Sequence, residues 1–146
     1  MTPRSGMPDA PSGTEEVVLP SELEVLDGID ESTLKYSRLA GIDDGTAGMV
    51  AIAAIEAVTN AVLHGNAECG GTEVKVRYDW EPGQIRITVH DEGRGFDLSC
   101  VLDPTDPERC MASSGRGIYI MREVMDSVEF EMSEESGTTV TMVKSA

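Results

Sequence analysis

Glu56-Ala-Val-Thr-Asn60-Ala sets a carboxylate and a carboxamide four residues apart. On a helix this spacing stacks the two side chains on one face, one turn from each other. An amide oxygen is a neutral ligand for a hard cation such as Mg²⁺, and a carboxylate one turn away can take a proton from an attacking hydroxyl. Further along, Asp91-Glu-Gly93-Arg-Gly95-Phe places a carboxylate ahead of two glycines, which let the backbone come close to a flat ring. A third segment, Gly115-Arg116-Gly117, precedes Ile118-Tyr-Ile-Met121. Glycines opening a helix there would present free N–H groups and the positive end of the helix dipole to phosphates. Taken in this order, the three segments describe a nucleotide pocket, each supplying a different part of Mg-ATP recognition.

The elements that must position these residues can be read from periodicity. Asp43-Asp44-Gly45-Thr46 offers caps for a helix that runs to a stop at Gly65. On it Ile52, Ile55, Thr59, Val62 and Leu63 form one apolar face, while Ala53, Ala57 and Ala61 keep the opposite side small, which predicts a largely buried helix. Glu56 and Asn60 fall at the border of the apolar face, where an unpartnered polar group costs about 2 kcal/mol or more. Asp91 keeps the parity of Ile85, Ile87 and Val89, so its carboxylate points to the buried side of a strand, where the exocyclic amine of adenine is a fitting donor. Thr138 shares the parity of Val140 and Met142, which turns its hydroxyl towards the same base. Each residue also has a plainer reading. Glu56 and Asn60 could form a helix-to-sheet hydrogen-bond pair, Asp91 an Asp-Gly turn, Gly115 to Gly117 a loop exit, and Thr138 an ordinary β-branched strand residue.

Around these segments, Val17 to Pro20 reads as a first strand and Ser21-Glu-Leu-Glu24 as a capping box. The helix it starts has a candidate break at Gly28 and ends at Gly41. Val74, Val76 and Tyr78 alternate with polar residues, as do Ile85, Ile87 and Val89, and Pro82-Gly83 joins the two runs as a hairpin. Residues 97–114, with Pro104 and Pro107, read as a long loop of the kind that forms lids. A helix from Gly117 to Met125 and a hairpin through Val128, Phe130, Val140 and Met142 complete the chain. Helices and antiparallel strands are segregated, which indicates an α+β two-layer sandwich with a mixed, mostly antiparallel sheet covered on one face by helices.

A length of 146 residues suits one domain. Residues 1–16 are rich in Pro, Gly, Ser and Thr and read as a disordered tail, leaving 17–146 as the folded domain. With 27 acids against 11 bases the net charge is −16, which disfavours nucleic acid and anionic membrane as partners and favours a protein. It also means that a triphosphate must be neutralised locally, by Mg²⁺ and helix N-termini. No apolar run reaches the ~20 residues of a membrane span, and the start lacks a secretory pattern, so a cytoplasmic location is expected. Cys69, Cys100 and Cys110 lack disulfide or zinc spacing and read as free thiols. His64 and His90 come with no nucleophile signature, and Met121, Met125 and Met132 read as core filling.

The ordered segments resemble those of the GHKL ATPases, the superfamily of gyrase, heat-shock chaperone, histidine kinase and mismatch-repair ATP-binding domains. Within it, Glu56-Ala-Val-Thr-Asn60-Ala-Val-Leu-His64-Gly65 and Gly115-Arg-Gly-Ile-Tyr-Ile-Met121 are similar to the anti-sigma-factor serine/threonine kinases of bacterial partner switching. The resemblance implies a Bergerat ATP-binding fold with an ATP lid at residues 97–114. In it Asp91 reads adenine, Asn60 binds Mg²⁺, Glu56 is the general base, and Gly93, Gly95, Gly115 and Gly117 shape the pocket. It further implies a sigma factor and an antagonist protein as partners, and often a homodimer. Two other readings stay open: a non-catalytic module whose nucleotide only gates a protein contact, and a stand-alone histidine-kinase-like catalytic domain.

Overall fold

Among the described residues the chain forms five strands, most of them alternating apolar and polar residues, and three helices that cover them. The computed structural model describes residues 12–20, 26–62, 73–91, 112–133 and 137–146. In chain order these form β1 (Gly13–Pro20), α1 (Leu26–Leu39), α2 (Asp44–Asn60), β2 (Glu73–Glu81), β3 (Gln84–Asp91), α3 (Ala112–Val124), β4 (Ser127–Ser133) and β5 (Gly137–Ser145). The strands form one sheet in the order β1-β2-β3-β5-β4. The fold is the expected α+β sandwich, with one correction: every pair in this sheet is antiparallel rather than mixed. Strands β3 and β4 run the same way, but β5 returns by a hairpin and inserts between them, converting one parallel pairing into two antiparallel ones.

The period-two pattern holds in detail. Val74, Val76 and Tyr78 of β2, Ile85, Ile87 and Val89 of β3, and Val140 and Met142 of β5 are buried beneath the helices with Ile29, Val50, Val58, Ile118 and Met121. Helix α2 packs against both α1 and α3. Gly83, at φ +94°, makes the β2–β3 turn that few other residues would accept, and its N–H donates to the Ala40 carbonyl at 2.8 Å, tying the turn to the end of α1. Among the described residues no helix is long and apolar enough to cross a membrane.

Four further expectations change. Strand β1 begins at Gly13, so Gly13 to Glu16 belong to the sheet and not to a tail, in register with Trp80 to Arg77. A backbone ladder pairs N–H and C=O groups whatever the side chains, so a polar edge strand is well supported. Residues 1–11 and the Ser21–Glu24 capping box lie outside the described residues. Gly28 lies inside an unbroken α1. Helix α3 begins at Ala112, taking in the last three residues of the stretch expected to be a loop; residues 97–111 lie outside the described residues. Finally, α2 buries its small side: Ala47, Ala51, Ala53, Ala54 and Ala57 face inward, while Ile52 is 51 % exposed. Small residues let the helix axes come close, and that proximity outweighs the bulk of the isoleucine face.

Candidate functional site

Three buried polar side chains converge where α2 ends over one end of the sheet. Helix α2 starts at the cap Asp43, whose carboxylate accepts from the Thr46 N–H at 2.9 Å and the Thr46 hydroxyl at 3.0 Å. Those hydrogen bonds hold the Asp43 carboxyl below the usual carboxylate range. Seventeen residues on, the helix delivers Asn60 at its last turn. Asp91 is the last residue of β3 and stands in register between Val74 of β2 and Thr138 of β5. Asn60, Asp91 and Thr138 are only 6 %, 4 % and 3 % exposed, so the inward parity read for the two strand residues holds.

Asn60 Nδ2 and Thr138 Oγ1 are buried without a hydrogen-bond partner. Each such atom costs on the order of 1–3 kcal/mol, and buried polar groups in folded proteins are otherwise almost always paired. Their residues, Asn60 and Thr138, line a cavity shared with Asp91 and walled by Ala57, Met121 and Phe130. Its volume is about 10 Å³, room for about one water. Asp91 and Glu56 each already interact with a neighbour, so the two orphaned atoms mark this cavity more strongly than the carboxylates do.

Glu56 lies one turn before Asn60 on α2 and is half-buried. The structure sets it against α3: a Cβ on Gly117 would lie 3.0 Å from Glu56 Oε1, 3.6 Å from Glu56 Cβ and 3.6 Å from Asn60 Nδ2. This corrects one expectation. Arg116 and Gly117 are the fifth and sixth residues of α3, beyond the first turn whose N–H groups lack intrahelical acceptors, so they do not present free amides to a phosphate. Gly115 falls in that first turn. Gly93 and Gly95 lie outside the described residues.

Sequence reasoning missed the meeting of Gly117 with Glu56 and the part that Ala57 and Phe130 play as cavity walls. The alanine spacing was visible, but the partner of each wall residue is set by α3 and β4, which are remote in sequence. A larger hollow of about 590 Å³ opens on the uncovered face of the sheet, lined by Arg77, Arg86, Thr88, Glu129 and Thr141 among others. It is a solvated polar surface in which Arg77 pairs with Asp79 at 3.0 Å, and it contains none of the orphaned atoms, so size does not decide between the two. Among the described residues no three Asp, Glu, His or Cys side chains gather as a metal cage. A magnesium ion at Asn60 would take its remaining ligands from phosphate and water. The carboxamide offers Oδ1 for that purpose and leaves Nδ2 as a donor for a ligand acceptor.

Residues 19–144 match the family described as the histidine kinase-like ATPase domain. The chain is 39 % identical over 93 residues to the protein named anti-sigma F factor of Bacillus subtilis (strain 168), a match covering 61 % of this chain and 62 % of that one. It is 38 % identical over 93 residues to the protein of the same name from Bacillus licheniformis, with the same coverage. The match thus spans about 62 % of the length of these relatives. Among solved structures, the histidine kinase domain of the Erythrobacter litoralis EL346 blue-light activated histidine kinase superposes with a TM-score of 0.55. That match is 20 % identical and covers 84 % of this chain and 60 % of the other, which shows a shared fold.

Proposed function

Since the chain belongs to the histidine kinase-like ATPase domain family, we propose that it binds Mg-ATP at the end of α2 and acts as a serine/threonine protein kinase and anti-sigma factor. It would hold a sigma factor and phosphorylate an antagonist protein. The observation that carries the nucleotide reading is the pair of orphaned buried atoms, Asn60 Nδ2 and Thr138 Oγ1, on two residues that line one cavity with buried Asp91. The name borne by the relatives supports the partner reading.

In this reading Asp91 accepts a hydrogen bond from the adenine amine and Thr138 contributes its hydroxyl to the same base. Asn60 holds Mg²⁺ through its amide oxygen, and Gly93, Gly95 and Gly115 give the nucleotide room. The metal supplies charge neutralisation on the phosphates. Glu56 then takes the proton from a serine or threonine hydroxyl of the antagonist as that oxygen attacks the γ-phosphorus in line and ADP departs.

Calorimetric titration with ATP and ADP, with and without Mg²⁺, tests the pocket first. The expected result is magnesium-assisted binding that Asn60→Ala strips of its metal dependence. Incubation with labelled ATP and candidate antagonists encoded beside its gene tests the chemistry. Transfer should give an acid-stable phosphoester, and Glu56→Gln should lower the rate by about 10²–10⁴-fold while sparing ATP affinity. An acid-labile label would instead point to a histidine acceptor, and binding without any transfer to a nucleotide-gated module.

A further inference from the structure

Gly117 sits in the interior of α3, where glycine is among the poorest helix formers. Its backbone does not require glycine, because the positive-φ glycines among the described residues are Gly41, Gly83 and Gly137. The reason for glycine at this position is therefore space. The atoms that a Cβ would meet are Glu56 Oε1 at 3.0 Å, Glu56 Cβ at 3.6 Å and Asn60 Nδ2 at 3.6 Å. The first of these is closer than ordinary van der Waals contact, and the other two are at ordinary contact distance.

We propose that Gly117 is a positioning residue for Glu56: its bare α-carbon lets α3 lie directly against the carboxylate and so sets where that carboxylate stands beside Asn60. This goes beyond the kinase reading and rests on it for the role of Glu56 as base. The role differs in kind from a phosphate cradle, since Gly117 lies past the turn with free amides and acts through another side chain. A methyl group here would push the carboxylate by a few tenths of an ångström. A general base must stay within about 2.6–3.2 Å of the oxygen it deprotonates, and displacements of about 1 Å cost around 10²-fold in rate.

The test compares the wild type, Gly117→Ala, Glu56→Gln and the double variant, all as the full chain. Alanine favours helix over glycine, so the thermal midpoint of Gly117→Ala should not fall and misfolding is separated from misplacement. The expected results are a displaced carboxyl ¹³C NMR signal for Glu56 and a Kd for Mg-ATP within about threefold of wild type. Phosphoryl transfer should drop about tenfold in the wild-type background and show no further loss in the Glu56→Gln background. An unmoved Glu56 signal, or an ATP affinity that falls at least tenfold in both backgrounds, overturns the proposal and returns Gly117 to direct nucleotide contact. If the wild type transfers no phosphate, the kinase reading fails, and the NMR and calorimetric arms still decide whether Gly117 places Glu56.

Discussion

Two clusters of buried polar groups lie beneath the same sheet, and they treat hydrogen bonding in opposite ways. Under α1, Thr33 and Tyr78 share a hydrogen bond of 2.9 Å. Tyr78 lies 5.0 Å from the ring of Tyr36, which stacks on Trp80 at 4.5 Å and 20°. Burial pushes the Tyr78 hydroxyl up to about 12, the bond from Thr33 opposing part of that rise. At the end of α2, Asn60 Nδ2 and Thr138 Oγ1 are as deeply buried and have no partner. Among the described residues a third orphan, Ser37 Oγ, stands on α1 and does not belong to the lining of that cavity. Burial of a polar residue is therefore not by itself a mark of function, because a buried polar group can be fully satisfied within the core.

The comparison breaks most readily at Asp91. Asp91→Asn presents an amide donor where the adenine amine needs an acceptor, and ATP affinity should fall about 30-fold, the loss of a hydrogen bond to a charged group worth about 2 kcal/mol. The thermal midpoint of the nucleotide-free protein should move little by comparison. Tyr78→Phe should do the reverse. It leaves the Thr33 hydroxyl buried and unpaired, lowering stability by about 1–2 kcal/mol in chemical denaturation with no change in ATP affinity.

Thr138→Val sharpens the contrast further. Replacing an unpaired hydroxyl by a methyl group of similar size should leave the nucleotide-free protein equally stable or more stable by up to about 1 kcal/mol. The same variant should bind ATP about fivefold more weakly, close to the ~1 kcal/mol of one neutral hydrogen bond. Loss of stability together with unchanged ATP affinity would show that Thr138 is structural. A further effect, confined to alkaline solution, is on pH dependence. The folded state keeps the Tyr78 proton above the ordinary value of 10.0, up to about 12, whereas the unfolded chain releases it near 10. The folded state therefore binds more protons in that window, and stability should decline as pH rises through it. Thermal scans of Tyr78→Phe should show a shallower decline.

Much of the site was legible because it depends on local periods. Strand parity alone turned Asp91 and Thr138 inward, and helical spacing alone put Glu56 one turn from Asn60, since periods of 2 and 3.6 are properties of the backbone. The same holds for the cap at Asp43 and for the turn at Gly83. Three features were decided by tertiary structure. The alanine side of α2, and not Ile52, faces the core because close approach to α1 and α3 rewards small residues. The sheet is wholly antiparallel because β5 inserts between two strands that run alike. Gly117 meets Glu56 across 61 residues of chain because α3 is laid against α2, and no local period specifies which turn of one helix rests on which turn of another.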